Sequence, residues 1–308
     1  MNKVAWYALV VFVAGVFYGL LVPIVKLASA QDISPSDILP SMYIVVFLLS
    51  GIAMIFRREW PRSRREVGEL VLLGFLVSGT SIFYYNSVAL LPSSVAGTLL
   101  FQYVWIGIVI DCAVRRTPPE RITVLVVIIV LVGTCFAAGI FDGEISGLNT
   151  LGIVFGLCSA VVYALYLYSS GKLGTSAPGC LRMTMVGLGG LIATLATRPS
   201  YITGGMIFNT AAWPFALVLA FTGVIFPVAL IAYASPHLQT GIVNIMAASE
   251  LPAGVLTAWA IVGDVPSALA LVGVVLVLAG IVINQIPLLV RNRKKEPAIP
   301  DVQDVRRE

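Results

Sequence analysis

The sequence predicts an all-α membrane protein with ten transmembrane helices arranged as two inverted five-helix repeats, and three observations lead to that prediction. First, the 308 residues are 59% hydrophobic and only 11% charged, with a mean hydropathy of +0.98. A soluble domain carries about 25% charged residues, so lipid must be the solvent for most of this chain. Second, ten apolar stretches follow one another. Third, segments of the first half recur in the second half.

Each apolar stretch is long enough to cross a bilayer as a helix, which takes about 17 to 25 residues. We place the spans at residues 4–28, 39–56, 68–90, 93–114, 120–140, 149–170, 181–197, 212–234, 238–262 and 267–290. The breaks between them are polar and rich in Pro or Gly, as in RRTPPER and KLGTSAPG. The first stretch lacks a small-residue cleavage site followed by polar sequence, so we expect a retained helix rather than a secretory signal.

The positions of Lys and Arg predict the orientation, because cytoplasmic loops of membrane proteins are enriched in these residues. With the N-terminus in the cytoplasm, all of the 19 Lys and Arg residues except Lys26 and Arg198 fall on the cytoplasmic side. We therefore expect a multi-pass protein of the inner (plasma) membrane with both termini in the cytoplasm. The charged stretch 291–308 is predicted to be a disordered cytoplasmic tail.

Three pairs of segments recur in the same order, about half the chain apart. GVFYGLLVPIVKL of the first span is similar to AVVYALYLYSSGKL of the sixth, which places Tyr18 and Tyr163 at matching positions. Residues 1–142 and 143–290 would thus each hold five spans, and an odd number turns the second copy upside down. Inverted repeats are typical of secondary transporters, in which the substrate binds near the midplane between the halves.

Small residues and prolines predict where helices meet or bend. The pairs Gly15 with Gly19 and Gly187 with Gly190 predict close helix contacts, because small residues let backbones approach each other in lipid. Proline interrupts a helix by removing an N–H donor and by crowding the carbonyl four residues earlier. Kinks are therefore expected at Pro23, Pro227 and Pro252.

The stretch ELPAGVLTAWAIVGD, from Glu250 to Asp264, resembles the carboxyl-terminal signature of the drug/metabolite transporter superfamily, EamA type. The sequence departs from that pattern twice, because Leu251 separates Glu250 from Pro252 and Asp264 stands where Glu is usual. A weaker copy, LLFQYVWIGIVID, has Gln102 near the place of the acid. The resemblance implies ten helices around a central cavity, alternating access, and a substrate among amino acids, amines, drugs or other metabolites.

Glu250 is a carboxylate about midway along its predicted span, where a charge costs at least about 2.5–3.5 kcal/mol. That cost favours a functional role: the carboxylate would attract a cationic amine, or it would exchange protons during transport. A structural carboxyl that hydrogen-bonds a neighbouring helix, or one that stays neutral, remains an alternative.

Mid-span aromatic and amide residues complete the predicted site, because buried polar tips need partners in lipid. Rings around one carboxylate would suit a quaternary ammonium or an amino acid. Packing, an interfacial belt or interhelical hydrogen bonds would explain the same residues. The predicted substrate-binding residues are Glu250, Tyr18, Tyr163, Gln102, Tyr103, Trp105, Asn86 and Asn244.

These features predict a secondary transporter, an exporter of a small amino acid or amine-bearing metabolite, with proton coupling as a further hypothesis. The alternative substrate is a quaternary ammonium compound or cationic drug. A membrane-embedded enzyme is disfavoured because we find no catalytic polar groups clustered at one membrane face, and a scaffold because it would be expected to carry a larger folded domain than the tail. No Walker, HExxH or GxSxG motif occurs, so residues for ATP drive and hydrolysis are lacking. We expect no cofactor, metal or nucleic acid, and the repeat allows a monomer as well as a homodimer.

Overall fold

The structure is a computed structural model that describes residues 3–139 and 148–293, with side chains described up to Asn284. The predicted boundary at 142/143 and nearly all of the predicted tail lie outside these residues. The described residues are mostly helical and include no strand. Its principal helices are α1 Lys3–Ser29, α2 Pro35–Arg57, α3 Arg64–Val88, α4 Ser93–Arg115, α5 Arg121–Ala137, α6 Thr150–Ser170, α7 Gly179–Thr197, α8 Ala212–His237, α9 Thr240–Val262 and α10 Ala268–Arg293.

The predicted all-α membrane class is confirmed, and its span count is confirmed in part. Eight of these helices are long and apolar enough to cross a membrane. The helix α5 and the residues of α10 with described side chains, Ala268–Asn284, form two shorter apolar helices. The presence of ten spans therefore stays a prediction.

Four of the principal helices are interrupted. In α1 the break falls at Leu20, between Lys3–Gly19 and Leu21–Ser29. In α8 a π-helical turn, Phe221–Ile225, separates Ala212–Ala220 from Phe226–Ala234. The helix α4 is divided into α4a, Ser93–Leu100, and α4b, Tyr103–Arg115, while α9 is divided into α9a, Thr240–Ala247, and α9b, Glu250–Val262.

Proline accounts for three of these interruptions. Pro23, Pro227 and Pro252 each stand within four residues after the disturbed turn, as the steric conflict with the carbonyl four residues earlier requires. The helix is thus interrupted just before each of the three prolines at which a kink was predicted. The break in α4 follows no proline within the helix, so its cause must lie in the side chains around it.

The helices pack in pairs that join the two halves of the chain. The helix α2 packs on α7, and α5 packs on α10. The helix α3 contacts α6 and α7, whereas α8 contacts α1 and α2. The helix α4 contacts α6, and α9 contacts α1. The core is therefore built mainly from contacts between the halves.

Glycine allows the closest of these approaches. A Cβ on Gly187 would lie 3.0 Å from the Phe47 nitrogen of α2, and one on Gly15 would lie 2.8 Å from the Ala247 carbonyl oxygen of α9. A Cβ on Gly133 of α5 would likewise fall 2.9 Å from the Val277 nitrogen of α10. The predicted close packing at the two glycine pairs is confirmed, since small residues let helix backbones meet.

The two cations that the charge pattern places outside both form ion pairs. Lys26, in the last turn of α1, pairs with Asp264 just after α9. Arg198, which follows α7, pairs with Asp37 of α2 at 3.3 Å. Each pair therefore ties one half of the chain to the other at the same predicted face.

Candidate functional site

The break in α9 places Glu250 at the start of a new half-helix. At this break the amide of Ser249 donates to the Met246 carbonyl at 3.2 Å, and the amide of Leu251 donates to the Ala248 carbonyl at 3.2 Å. These bonds span three residues instead of four, so one tight turn separates α9a from α9b. Glu250 becomes the first residue of α9b, where the partial positive charge of a helix N-terminus stabilises a carboxylate.

The helix α1 holds the broken segment in place. The Ser249 hydroxyl donates to the Phe12 carbonyl of α1 at 2.8 Å, an interhelical bond rather than a bond within its own helix. Gly15 and Gly19 bring the α1 backbone against Ala247 through Gly254. The carboxylate of Glu250 is thereby fixed beside α1, in the interior of the helical assembly.

Tyrosine rings surround the Glu250 carboxylate. The Tyr163 hydroxyl of α6 donates to Glu250 Oε2 at 3.4 Å. The Tyr163 ring lies 4.6 Å from the Tyr103 ring and 6.0 Å from the Tyr18 ring, both edge to face. The ring of Tyr166 stacks parallel to that of Tyr163 at 6.2 Å. We call Glu250, Tyr18, Tyr103, Tyr163 and Tyr166 the tyrosine cluster, to which α1, α4, α6 and α9 all contribute.

The tyrosine residues of the cluster are buried, and their hydroxyls differ in how they are partnered. Tyr103 and Tyr166 are fully buried and Tyr18 is nearly so. The Tyr103 hydroxyl has no hydrogen-bond partner among the described residues, whereas the Tyr18 and Tyr166 hydroxyls lie close to each other and Tyr166 also approaches Ser170. Glu250 itself retains accessible surface. Buried hydroxyl donors beside a carboxylate can bind the polar end of a small molecule, and electron-rich ring faces can bind a cation.

Two predicted site residues of α4, Gln102 and Trp105, make their described hydrogen bonds within that helix. Gln102 Nε2 donates to the Thr98 carbonyl at 3.1 Å, which the tight turn has released from its usual amide partner. Trp105 Nε1 donates to Gln102 Oε1 at 2.8 Å. Trp105 is exposed on the same helix face as Val109, whereas Tyr103 points into the cluster. Of the three α4 candidates, the structure brings only Tyr103 against Tyr163.

The predicted amides also lie apart from the cluster. Asn86, near the end of α3, is exposed and donates to the Ile82 carbonyl of its own helix at 2.8 Å. Asn244 of α9a is fully buried, and its amide group packs on Gly107 of α4b. Neither amide atom of Asn244 has a hydrogen-bond partner among the described residues. Asn244 thus stands at the α4–α9 contact.

Sequence reasoning left two residues out of the predicted site. Tyr166 follows Tyr163 by three residues, the spacing that puts two side chains on one helix face, and this signal was available. Arg182 was assigned to the cytoplasmic surface, yet it is only 4% exposed. Its guanidinium donates to the carbonyls of Ser170, Leu173 and Gly174, so it closes the α6–α7 loop. Only tertiary structure shows that burial.

The comparison with protein families identifies the first half of the chain. Residues 5–139, from α1 through α5, match the EamA-like transporter family. The match covers a little less than half of the chain, and this segment is similar to that family. EamA-like transporters are part of the drug/metabolite transporter superfamily, so the resemblance seen in the sequence is confirmed. With eight long apolar helices the protein is a multi-pass membrane protein, and its first half is similar to a family of membrane transporters for small molecules.

Structural comparison extends the likeness to most of the chain. A solved structure titled "Crystal structure of protein" matches with a TM-score of 0.68 over 90% of this chain and 97% of that chain. The two sequences are 17% identical, so the match shows a shared fold and nothing of substrate. No curated protein was found to match the chain by sequence.

Proposed function

We propose that this EamA-like protein is a secondary transporter that exports a small amino acid or another amine-bearing metabolite from the cytoplasm. The tyrosine cluster is the observation that carries the proposal. A carboxylate with one long hydrogen bond, surrounded by tyrosine rings from three other helices, suits a substrate with an ammonium group. The Tyr103 hydroxyl, which has no partner among the described residues, supplies a hydrogen bond for one of its remaining polar atoms.

Alternating access by two inverted five-helix repeats is the proposed mechanism. Three features support it: the matching breaks of α4 and α9, the pairing of α2 with α7 and of α5 with α10, and the contacts of α3 with α6 and α8 with α1. Each contact has a counterpart when the halves are exchanged, as a two-fold axis in the membrane plane would require. The cluster then lies where the halves meet.

Proton coupling through Glu250 belongs to the same proposal. Glu250 contacts Tyr163, and no basic side chain among the described residues pairs with it to hold it permanently ionised. It can then bind either a proton or the substrate ammonium, and competition between the two would couple their movements. The cytoplasmic position of both termini, the inner membrane as the location, and function as a monomer or homodimer complete the proposal.

A quaternary ammonium compound or cationic drug is the alternative substrate. The edge-to-face rings of Tyr18, Tyr103 and Tyr163 favour it, because aromatic faces bind quaternary ammonium groups without hydrogen bonds. Hydroxyls without partners add nothing to the binding of such a cation, whereas they would bind the carboxylate of an amino acid. The two substrates can therefore be separated by tyrosine-to-phenylalanine substitutions.

A thermal-shift screen of the purified protein tests the substrate class. Amino acids, primary amines, quaternary ammoniums and sugar phosphates are compared, because a ligand that binds only the folded state raises the melting temperature. We expect stabilisation by an amino acid or amine that Glu250→Gln abolishes and Asp264→Asn preserves. Asp264→Asn makes the same carboxylate-to-amide change outside the cluster. Stabilisation that survives Glu250→Gln would contradict the proposed site, and stabilisation by quaternary ammoniums alone would favour the alternative.

A further inference from the structure

A small cavity lies at the helix ends that the charge pattern assigns to the cytoplasm, apart from the tyrosine cluster. Its volume is about 170 Å³. The end of α6, the α8–α9 turn and the end of α4 enclose it, so both halves of the chain contribute. Its lining residues are Arg115, Leu167, Tyr168, Gly171, Lys172, Ser235, Pro236, Leu238, Thr240 and Val243.

The cavity carries more positive than negative charge. Lys172 Nζ lies 3.4 Å above the centre of the Tyr168 ring and forms no ion pair with a carboxylate of the described residues. Arg115 Nε pairs with Asp111 Oδ1 at 2.9 Å. The same Asp111 oxygen accepts a hydrogen bond from the Thr240 hydroxyl at 3.1 Å. Asp111 is therefore directed at Arg115 and Thr240, while the charge of Lys172 remains available to a ligand.

Ser235 provides an independent indication of a ligand. It lines the cavity, is only 4% exposed, and its hydroxyl has no hydrogen-bond partner among the described residues. A buried hydroxyl without a partner lowers stability, so such a group calls for an explanation. The nearby N-terminus of α9a, which begins at Thr240 without a side-chain cap at Gln239, adds partial positive charge.

We propose that this cavity binds an oxyanion of the phosphate type. Lys172 supplies the charge, the Ser235 hydroxyl donates a hydrogen bond, and the start of α9 adds its favourable dipole. Two sources share this chemistry: the headgroup of an anionic lipid in the cytoplasmic leaflet, and a soluble phosphate ester. Basic pockets between helix ends on the cytoplasmic side are a known setting for lipid headgroups. Because the lining comes from both halves, a bound oxyanion would stabilise the arrangement seen here.

The first experiment measures thermal unfolding of the full-length protein in detergent as inorganic phosphate replaces chloride at constant ionic strength. We expect a saturable rise in melting temperature for the wild type. Lys172→Gln should weaken the apparent phosphate affinity about tenfold, which is the usual size of one charge-assisted hydrogen bond. Arg116→Gln is the matched control, because it removes the same charge from a neighbouring helix end outside the cavity lining. Equal responses of the two variants would overturn the proposal.

A second variant separates binding from folding. Without phosphate, Ser235→Ala should be at least as stable as the wild type, because the hydroxyl it removes has no protein partner. With phosphate, Ser235→Ala should lose most of the gain in melting temperature. If it instead destabilises the protein to the same extent with and without phosphate, the hydroxyl is structural and the site is not an oxyanion site.

Lipid nanodiscs distinguish the two sources. A higher melting temperature in phosphatidylglycerol than in phosphatidylcholine, removed by Lys172→Gln but not by Arg116→Gln, would identify a lipid headgroup as the occupant. A gain with inorganic phosphate in detergent but none with phosphatidylglycerol would identify a soluble phosphate ester. The absence of a gain under either condition would refute the proposal, without bearing on the tyrosine cluster.

Discussion

The helices α4 and α9 are broken in the same way, yet they carry different chemistry. Each consists of a half-helix of 8 residues and one of 13 residues, joined by a two-residue turn. The backbone hydrogen bonds of the two turns correspond one to one. In α4 the amides of Gln102 and Val104 donate to the carbonyls of Leu99 and Phe101. In α9 the amides of Ser249 and Leu251 donate to the carbonyls of Met246 and Ala248. Tyr103 begins α4b at the position where Glu250 begins α9b.

The causes of the two breaks differ. In α9, Pro252 removes an amide donor two residues after the break. In α4 no proline is present, and the side chain of Gln102 instead satisfies the Thr98 carbonyl that the turn releases. Because the same helix break arises from two different local causes, we infer that the fold itself requires the break. Only the break in α9 places an acid at the start of its second half-helix, and under the proposed function Glu250 therefore supplies the chemistry that the α4 break lacks.

The largest expected effect comes from the position that differs most. Glu250→Gln should lower transport by at least about tenfold and remove its dependence on pH, because the amide cannot hold a proton or pair with an ammonium. The corresponding change in α4, Tyr103→Phe, removes a hydroxyl without a protein partner and should leave the melting temperature unchanged. Transport into proteoliposomes at several pH values measures the effect of Glu250→Gln, and thermal unfolding measures that of Tyr103→Phe. If Glu250→Gln transports at the wild-type rate, Glu250 of α9 has no more importance for transport than Tyr103 of α4, and the proposed difference between the two helices is wrong.

The glycines next to the breaks provide the next comparison. A Cβ on Gly15 would lie 2.8 Å from the Ala247 carbonyl oxygen, so Gly15→Ala should lower the free energy of unfolding by about 1–3 kcal/mol. Gly97, within α4a, has no atom within 4 Å of such a Cβ. Gly97→Ala should therefore raise stability by about 0.5–1 kcal/mol through helix propensity. Denaturant unfolding of both variants checks the signs, and a loss at Gly97 would mean that the α4 break needs glycine.

Smaller effects are expected for the side chains that support the turns. Ser249→Ala removes the bond to the Phe12 carbonyl and Gln102→Leu removes the bond to the Thr98 carbonyl, each worth about 1 kcal/mol. Only Gln102→Leu should also change tryptophan fluorescence, because Trp105 Nε1 loses its acceptor. Unfolding and emission spectra of the same samples test this pair. An unchanged spectrum would place the Trp105 indole elsewhere in solution.

The smallest effect is expected where both helices end in a left-handed residue. Arg116 after α4 has φ 55° and Gly263 after α9 has φ 83°, and glycine adopts this conformation without strain. Arg116→Gly should raise, and Gly263→Ala should lower, the free energy of unfolding by up to about 1 kcal/mol. The Cβ added at Gly263 meets no neighbouring atom, so any loss there reports backbone strain alone. Melting temperatures of the two variants should shift in opposite directions.

Much of the fold could be predicted because lipid imposes it. A chain with 11% charge cannot cover a surface in water, and backbone groups in a bilayer must be satisfied within helices. The helix bounds and the bends at Pro23 and Pro252 followed from the same local rules. Glu250 was identifiable because a carboxylate between apolar residues is costly in a membrane. The sequence motif also pointed to the EamA-like family that residues 5–139 match.

The remaining features depend on which helices meet, and local sequence does not encode that directly. Gln102 and Tyr103 are neighbours in a helical stretch, but only packing against α6 sends Tyr103 to Tyr163 while Gln102 satisfies its own helix. The sequence places Arg182 among the cytoplasmic cations, whereas in the structure the α6–α7 loop covers it and accepts its hydrogen bonds. The sequence by itself determined that lipid surrounds most of the chain, which segments form helices, and that the Glu250 carboxylate lies among apolar residues at a cost in free energy. Tertiary structure alone decided which rings surround that carboxylate, because contacts between distant helices set each side chain's partners.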